Sequence, residues 1–160
     1  MKKCVFAGTF DPLTLGHKDV VDKCLELFDE VVVAILINHE KHELFTLKER
    51  LEMLNAVYGN NDRVKILSWD GLLVDLLKEE KTKIYVRGVR NSVDYGYETL
   101  MHYTNAEMNP EMITIFIPTD QNHLHVSGSA VRTLLQFNKN VDKYLPDEIK
   151  ELVKKYTQKK

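Results

Sequence analysis

The chain has 160 residues, 44% hydrophobic and 29% charged, and its 22 Lys plus Arg against 24 Asp plus Glu leave a net charge of -2. That length buries an apolar core without disulfide or metal staples, and the composition excludes a disordered chain. The charge balance excludes a protein that coats nucleic acid through overall charge, and no apolar stretch approaches a membrane span, so neither kind of partner is expected. The opening MKKCVFAGTF holds only a five-residue apolar run, too short for a secretory leader. Cys4 and Cys24 have no metal-ligand spacing and read as small buried hydrophobes of a reducing cytoplasm.

In chain order, Lys3 to Ala7 reads as a strand, and Val20, Val21, Cys24, Leu25 and Phe28 then recur at helical spacing. Val31 to Ile37 is a nearly unbroken apolar run, which suits a strand covered on both faces. Thr46 and Glu49 have capping-box spacing, and Leu47, Leu51, Leu54 and Tyr58 mark one face of the helix that follows. Val64 to Ser68 and Ile84 to Val86 are further strands, separated by a short helix through Leu72, Leu73, Leu76 and Leu77. A long helix is expected over Ser92 to Met108, a fifth strand over Ile113 to Ile117, and closing helices over Ser129 to Phe137 and Asp147 to Tyr156. The lysine-rich end, Lys154 to Lys160, reads as a solvated helix end and a frayed tail. This alternation predicts one Rossmann-like, doubly wound α/β domain over residues 1–160, built on a five-stranded, mainly parallel sheet.

Open α/β sheets bind ligands beyond the carboxyl ends of their strands, so the loops after each strand carry the candidate chemistry. After the first strand comes GTFDPLTLGH, Gly8 to His17: a tight turn, a hydroxyl at Thr9, and Gly16-His17 at a helix entrance where free N–H groups favour a phosphate. A histidine there can donate to a phosphate oxygen, more strongly if protonated. After the second strand, Lys41 sits in a loop with His39 and His42, a set without metal-ligand spacing. After the fourth, Arg87 and Arg90 straddle Gly88, which allows close backbone approach. Two guanidiniums at a strand end clamp phosphate oxygens, although pairing with Asp94 or Glu98 is the plainer use of them. After the fifth, Ser127, Gly128 and Ser129 open a helix as a nest of hydroxyl and amide donors, or serve only as its cap. The dinucleotide fingerprint and the P-loop are both absent from the sequence.

Thr14-Leu15-Gly16-His17 resembles the T/HxGH signature of the nucleotidyltransferase α/β-phosphodiesterase superfamily, and GTFDP is closer still to the bacterial phosphopantetheine adenylyltransferase family. Phe45-Thr46-Leu47-Lys48-Glu49-Arg50 is similar to a stretch that, in this family, follows a substrate-binding lysine, here Lys41. Val86 to Glu98, VRGVRNSVDYGYE, resembles the motif that separates the family from its relatives, with Gly96 in place of a usually acidic residue. Val126-Ser127-Gly128-Ser129-Ala130-Val131-Arg132 resembles a superfamily pattern in which the middle glycine is serine, and Gln121, Asn122 and His123 depart from the commoner acidic-aromatic stretch.

The resemblance implies ATP and 4'-phosphopantetheine as substrates, dephospho-coenzyme A as product, and a Mg²⁺ that arrives with the nucleotide and needs no named protein ligand. It implies catalytic roles for His17, Lys41, Arg90 and Ser129. Thr9, Lys41, Leu73 and Arg87 would hold phosphopantetheine. Thr9, Phe10, His17, Gly88, Val89, Arg90 and Glu98 would hold ATP, together with His123, Leu124, His125, Val126, Ser127, Gly128 and Ser129. It also implies a cytoplasmic homohexamer with coenzyme A as feedback inhibitor. Two alternatives remain open from the residues: a sister nucleotidyltransferase acting on another phosphate, and a nucleotide-binding module without turnover. On either enzymatic reading a net charge of -2 conceals a concentrated positive pocket.

Overall fold

The computed structural model describes residues 1–159. Five strands and six α-helices alternate as β1 (Lys3–Gly8), α1 (Leu15–Leu27), β2 (Glu30–Leu36), α2 (Leu47–Tyr58), β3 (Val64–Trp69), α3 (Leu73–Glu79), β4 (Ile84–Val89), α4 (Ser92–Met108), β5 (Ile113–Pro118), α5 (Gly128–Gln136) and α6 (Lys150–Thr157). The sheet order is β3-β2-β1-β4-β5, and every pairing is parallel. Each strand is separated from the next by a crossover helix, which is what a parallel register requires. The chain winds outward from β1 to β3, then α3 carries it back past β1 to β4. The strand order therefore reverses between β1 and β4.

Alternation along the central strands divides the core between the two faces of the sheet. Cys4 and Phe6 of β1 and Val31, Val33 and Ile35 of β2 pack with Val21 and Cys24 of α1, Met53 and Leu54 of α2, and Val153 and Tyr156 of α6. Val5 and Ala7, with Val32 and Ala34, face the other way onto Leu73, Val74, Leu76 and Leu77 of α3. Both cysteines are free and buried on the first face, as small hydrophobes. α4 is held far more lightly: Glu98 is its one buried residue, while Val93, Tyr95, Tyr97, Leu100 and Tyr103 are exposed. Among the described residues, no helix is long and apolar enough to cross a membrane.

One element differs from the sequence expectation. The predicted last helix is broken, with a 3-10 turn at Asp147–Ile149 preceding α6, because Ile149 swings to φ -113. The basic end stays helical through Thr157, with Lys154 bonded to Asp142 at 3.1 Å; Lys160 lies outside the described residues. The departure at Gly96 leaves α4 unbroken, since the helix runs continuously through it.

α1 also fixes the end of β5. The Asp19 carboxylate accepts from the Asp120 N–H at 2.9 Å, and Lys23 Nζ donates to the Pro118 carbonyl at 2.9 Å. The loop after β5 is thereby tethered beside the loop after β1.

Candidate active site

A cavity of about 550 Å³ opens where the strand order reverses, at the carboxyl ends of β1 and β4. Such a crevice is where open α/β sheets take ligands. The β1 loop enters it through an unusual backbone: Phe10 has φ 49, the left-handed region, and its ring is buried with its centroid 5.0 Å from that of His17. The turn thus places an aromatic floor beneath the imidazole, a feature the sequence did not announce.

His17 is the N3 residue of a capping box at the start of α1. Its backbone N–H donates to Thr14 Oγ1 at 3.4 Å, while the Thr14 N–H donates to His17 Nδ1 at 3.1 Å. An acceptor Nδ1 leaves the ring proton on Nε2. Burial, and then the charges of Arg87, Arg90 and Arg132, push the His17 pKa down to about 4. At neutral pH the imidazole is therefore uncharged, not the protonated donor that would bind phosphate most strongly. It is a neutral donor fixed at a helix N-terminus, the arrangement used to polarise oxygen where charge develops.

Asp11, 2% exposed, was not singled out from the sequence. Its two carboxylate oxygens accept from the N–H groups of Leu44 and Phe45 at 2.8 and 2.9 Å, and its carbonyl accepts from Arg132 Nη1 at 2.7 Å. The same chain segment is held by Arg50, a buried guanidinium whose Nη1 donates to the Thr9 carbonyl at 2.9 Å. The Phe45-to-Arg50 stretch is thus a strap. Phe45 fills the core, Thr46 and Glu49 cap α2 reciprocally, and Arg50 braces the β1 loop. Lys41, on the loop leading into the strap, lines the cavity.

β4 supplies Arg87, Gly88 and Arg90. Arg87 donates from Nη1 to the Ala7 carbonyl and from Nη2 to Glu98, both at 2.6 Å, and lies 5.9 Å from the centre of the Tyr85 ring. Arg90 is bonded to Asp94 through Nε at 2.9 Å, Nη2 at 3.3 Å and its backbone N–H at 3.1 Å. Those bonds hold the Asp94 carboxyl below its usual range. A Cβ on Gly88 would lie 2.7 Å from Val20 Cγ2, so its close approach is to α1, not only to a ligand. At α5, Ser127 caps the helix by accepting from the Ala130 N–H at 3.1 Å, and Ser129 Oγ accepts from Arg132 Nη2 at 3.0 Å. A Cβ at Gly128 would sit 3.0 Å from Arg132 Nη1, so glycine in that place leaves room for the arginine's reach to Asp11.

Of the sequence candidates, Thr9, Phe10, His17, Lys41, Arg87, Gly88, Arg90, Glu98 and Val126 to Ser129 line one cavity. Val89, His123, Leu124 and His125 stand outside that lining; His125 instead meets the Tyr144 ring edge-on, with the centroids 5.8 Å apart. Leu73, at the start of α3, also stands outside the lining; it is 8% exposed and its side chain belongs to the core cluster with Val74 and Leu76. The expected positive pocket needs correcting. Lys41, Arg87, Arg90 and Arg132 line the cavity, but Asp11, Asp94 and Glu98 do too, so four cations meet three carboxylates. Each arginine is paired: Arg87 with Glu98, Arg90 with Asp94, and Arg132 with Asp11 at 3.8 Å. The spacing offered Asp94 and Glu98 as partners for the two arginines, and the structure makes both pairs.

This sheet, with its cavity at the switch point and an imidazole at the first helix, has the build of a nucleotidyltransferase domain. Residues 5–134 match the cytidylyltransferase-like family. Full-length similarity narrows the group further. A phosphopantetheine adenylyltransferase of Clostridium botulinum strain 657 is 36% identical over 155 residues, 97% of this chain and 94% of the relative. One from Shouchella clausii strain KSM-K16 is 38% identical over 154 residues, 96% of this chain and 97% of its own, and one from Clostridium perfringens strain 13 is 34% identical over 151 residues, 94% and 92%. The chain belongs to the phosphopantetheine adenylyltransferase family, within the cytidylyltransferase-like proteins.

Proposed function

We propose that this chain transfers the adenylyl group of ATP to 4'-phosphopantetheine, giving dephospho-coenzyme A and pyrophosphate, the penultimate step of coenzyme A synthesis. The observation that carries the reading is the neutral imidazole of His17, held by Thr14 at the head of α1 in the same cavity as Arg87 and Arg90.

An oxygen of the phosphopantetheine phosphate attacks the α-phosphorus of ATP, the bond from that phosphorus to the bridging oxygen breaks, and pyrophosphate leaves with the electron pair. The nucleophile is already ionised, so neither a covalent enzyme intermediate nor a general base is needed. What remains is positioning and charge stabilisation. His17 Nε2–H donates to an α-phosphate oxygen as charge accumulates there, aided by Lys41, Arg90 and Ser129. Thr9 and Arg87 orient the attacking phosphate. The amides of Ser127 to Ser129 at the head of α5 receive the β- and γ-phosphates, and Gly88 to Arg90 with Glu98 form the ATP side.

The cavity carboxylates are already bonded to arginines or backbone N–H groups. That donor set fits a Mg²⁺ carried by phosphate oxygens and water, which would screen the triphosphate. The same reading makes the enzyme a cytoplasmic homohexamer inhibited by coenzyme A; the exposed apolar side chains of α4 supply a surface for assembly.

The test is pyrophosphate release from ATP with 4'-phosphopantetheine, compared with nicotinamide mononucleotide and polyol phosphates. Turnover confined to 4'-phosphopantetheine supports the reading, and turnover confined to another phosphate, or none at all, overturns it. Arg87→Ala should raise the KM for phosphopantetheine more than that for ATP; the reverse order would remove Arg87 from the acceptor side.

A further inference from the structure

The charge balance of the cavity has a mechanical side. Of the three arginine–carboxylate pairs, one is locked: Asp11 is pinned at both oxygens by backbone N–H groups and cannot leave. The other two are closed by carboxylates from α4, four residues apart on one helix face. That helix has a single buried residue, and Gly96, between the two carboxylates, has nothing within 4 Å of where its Cβ would be. A glycine in a helix interior loosens it relative to alanine. The Arg87 fork is also unsaturated: Nε is buried without a hydrogen-bond partner while Nη1 and Nη2 are engaged. A guanidinium in that state is better matched by a ligand that reaches two of its N–H groups than by one carboxylate oxygen.

We infer that Glu98 and Asp94 are specificity-determining residues, resident counter-ions that ligand phosphates must displace from Arg87 and Arg90. With both in place, Lys41 is the one lining cation without a carboxylate partner among the described residues. Small inorganic anions that bring charge and no further anchor are thus held off, while a substrate with binding groups elsewhere displaces the pairs. A resident carboxylate that every phosphate must displace raises discrimination at the cost of absolute affinity. This rests on the reading that the cavity takes phosphate ligands, and it extends the use of Glu98 from contact to competition.

Calorimetric titration of the full chain with inorganic pyrophosphate, then orthophosphate, tests it without turnover. Glu98→Gln removes the charge and keeps the shape, and should tighten pyrophosphate binding by about tenfold, in the range of close desolvated charge pairs. Asp94→Asn, at a more exposed pair, should tighten it by about two- to fivefold. Unchanged or weaker binding in Glu98→Gln would mean that the carboxylate orients the arginine for phosphate, and would overturn the inference. Should Glu98→Gln fail to fold, Asp94→Asn decides by the same signs. Pyrophosphate release is measured in parallel: absence of adenylyl transfer overturns the proposed function and leaves the anion result to stand by itself.

Discussion

Two helices in this molecule begin with the same device and put it to different ends. At α2, Thr46 and Glu49 bond reciprocally, the Thr46 N–H donating to Glu49 Oε2 at 2.8 Å, and the acidic side chain complements the positive end of the helix. At α1, Thr14 and His17 make the same exchange, with an imidazole where the carboxylate would be. The box at α2 closes its helix off. The one at α1 satisfies the backbone with one ring nitrogen and presents the other, and it leaves the helix dipole without an acidic partner, as no acidic residue stands in its first turn. The two boxes differ by a single residue type, and only the one at α1 leaves a ring N–H for a ligand.

The two caps should differ most in what their loss does, and the larger loss falls at His17. Replacement by alanine should cut kcat by about 10²- to 10⁴-fold, the range for loss of one preorganised donor or proton-transfer group, with ATP binding largely kept. Near-normal kcat would remove His17 from the chemistry. His17→Glu should restore an ordinary capping box, fold well, and bind ATP poorly because a carboxylate then faces the triphosphate; calorimetry with ATP would read this.

Next in size is an acid-stability effect. The folded protein refuses a proton at His17 until about pH 4, whereas the unfolded chain accepts it near the ordinary histidine value of about 6.5. Between those values the unfolded state binds more protons, so stability contributed here falls as pH falls, by at most about 1.4 kcal/mol per pH unit. Urea melts at pH 7, 5.5 and 4.5 should show a flatter decline for His17→Gln, and parallel curves would refute the assignment. The smallest effect belongs to the other box. Thr46→Ala should cost about 1 kcal/mol of stability with unchanged KM for ATP. A marked rise in that KM would show the two boxes to be coupled through the Phe45-to-Arg50 strap and its bonds to Asp11 and Thr9.

The layer order and most element bounds were legible because apolar periodicity and capping signals are local. Ser92 to Met108 coincides with α4, and the Thr46 cap stands where its spacing put it. The loops that carry the site were legible too, since the sheet dictates where they gather. The pairing within them was legible only in part: Asp94 and Glu98 stood out as possible partners of the two arginines, but not which would meet which. Arg87 meets Glu98 across a strand end and a helix turn, and Asp11 meets Leu44 and Phe45 through a buried carboxylate that looks like a turn residue in the string. The left-handed Phe10 is likewise invisible, as glycine and not phenylalanine advertises that conformation. Leu73 is a matching position whose side chain lies in ordinary core, so its surroundings add nothing to what the motif suggests.

Asp11 has a consequence beyond its contacts. Through it the β1 turn, the Lys41 loop and the head of α5, segments 33 to 121 residues apart in sequence, share one buried knot. Hydrogen bonds that join three loops at one aspartate predict that the loops open together, as one cooperative unit within a larger fold. Slow amide exchange at Leu44 and Phe45 should therefore rise and fall in step with that at the start of α5, so that the site gains or loses order as a whole.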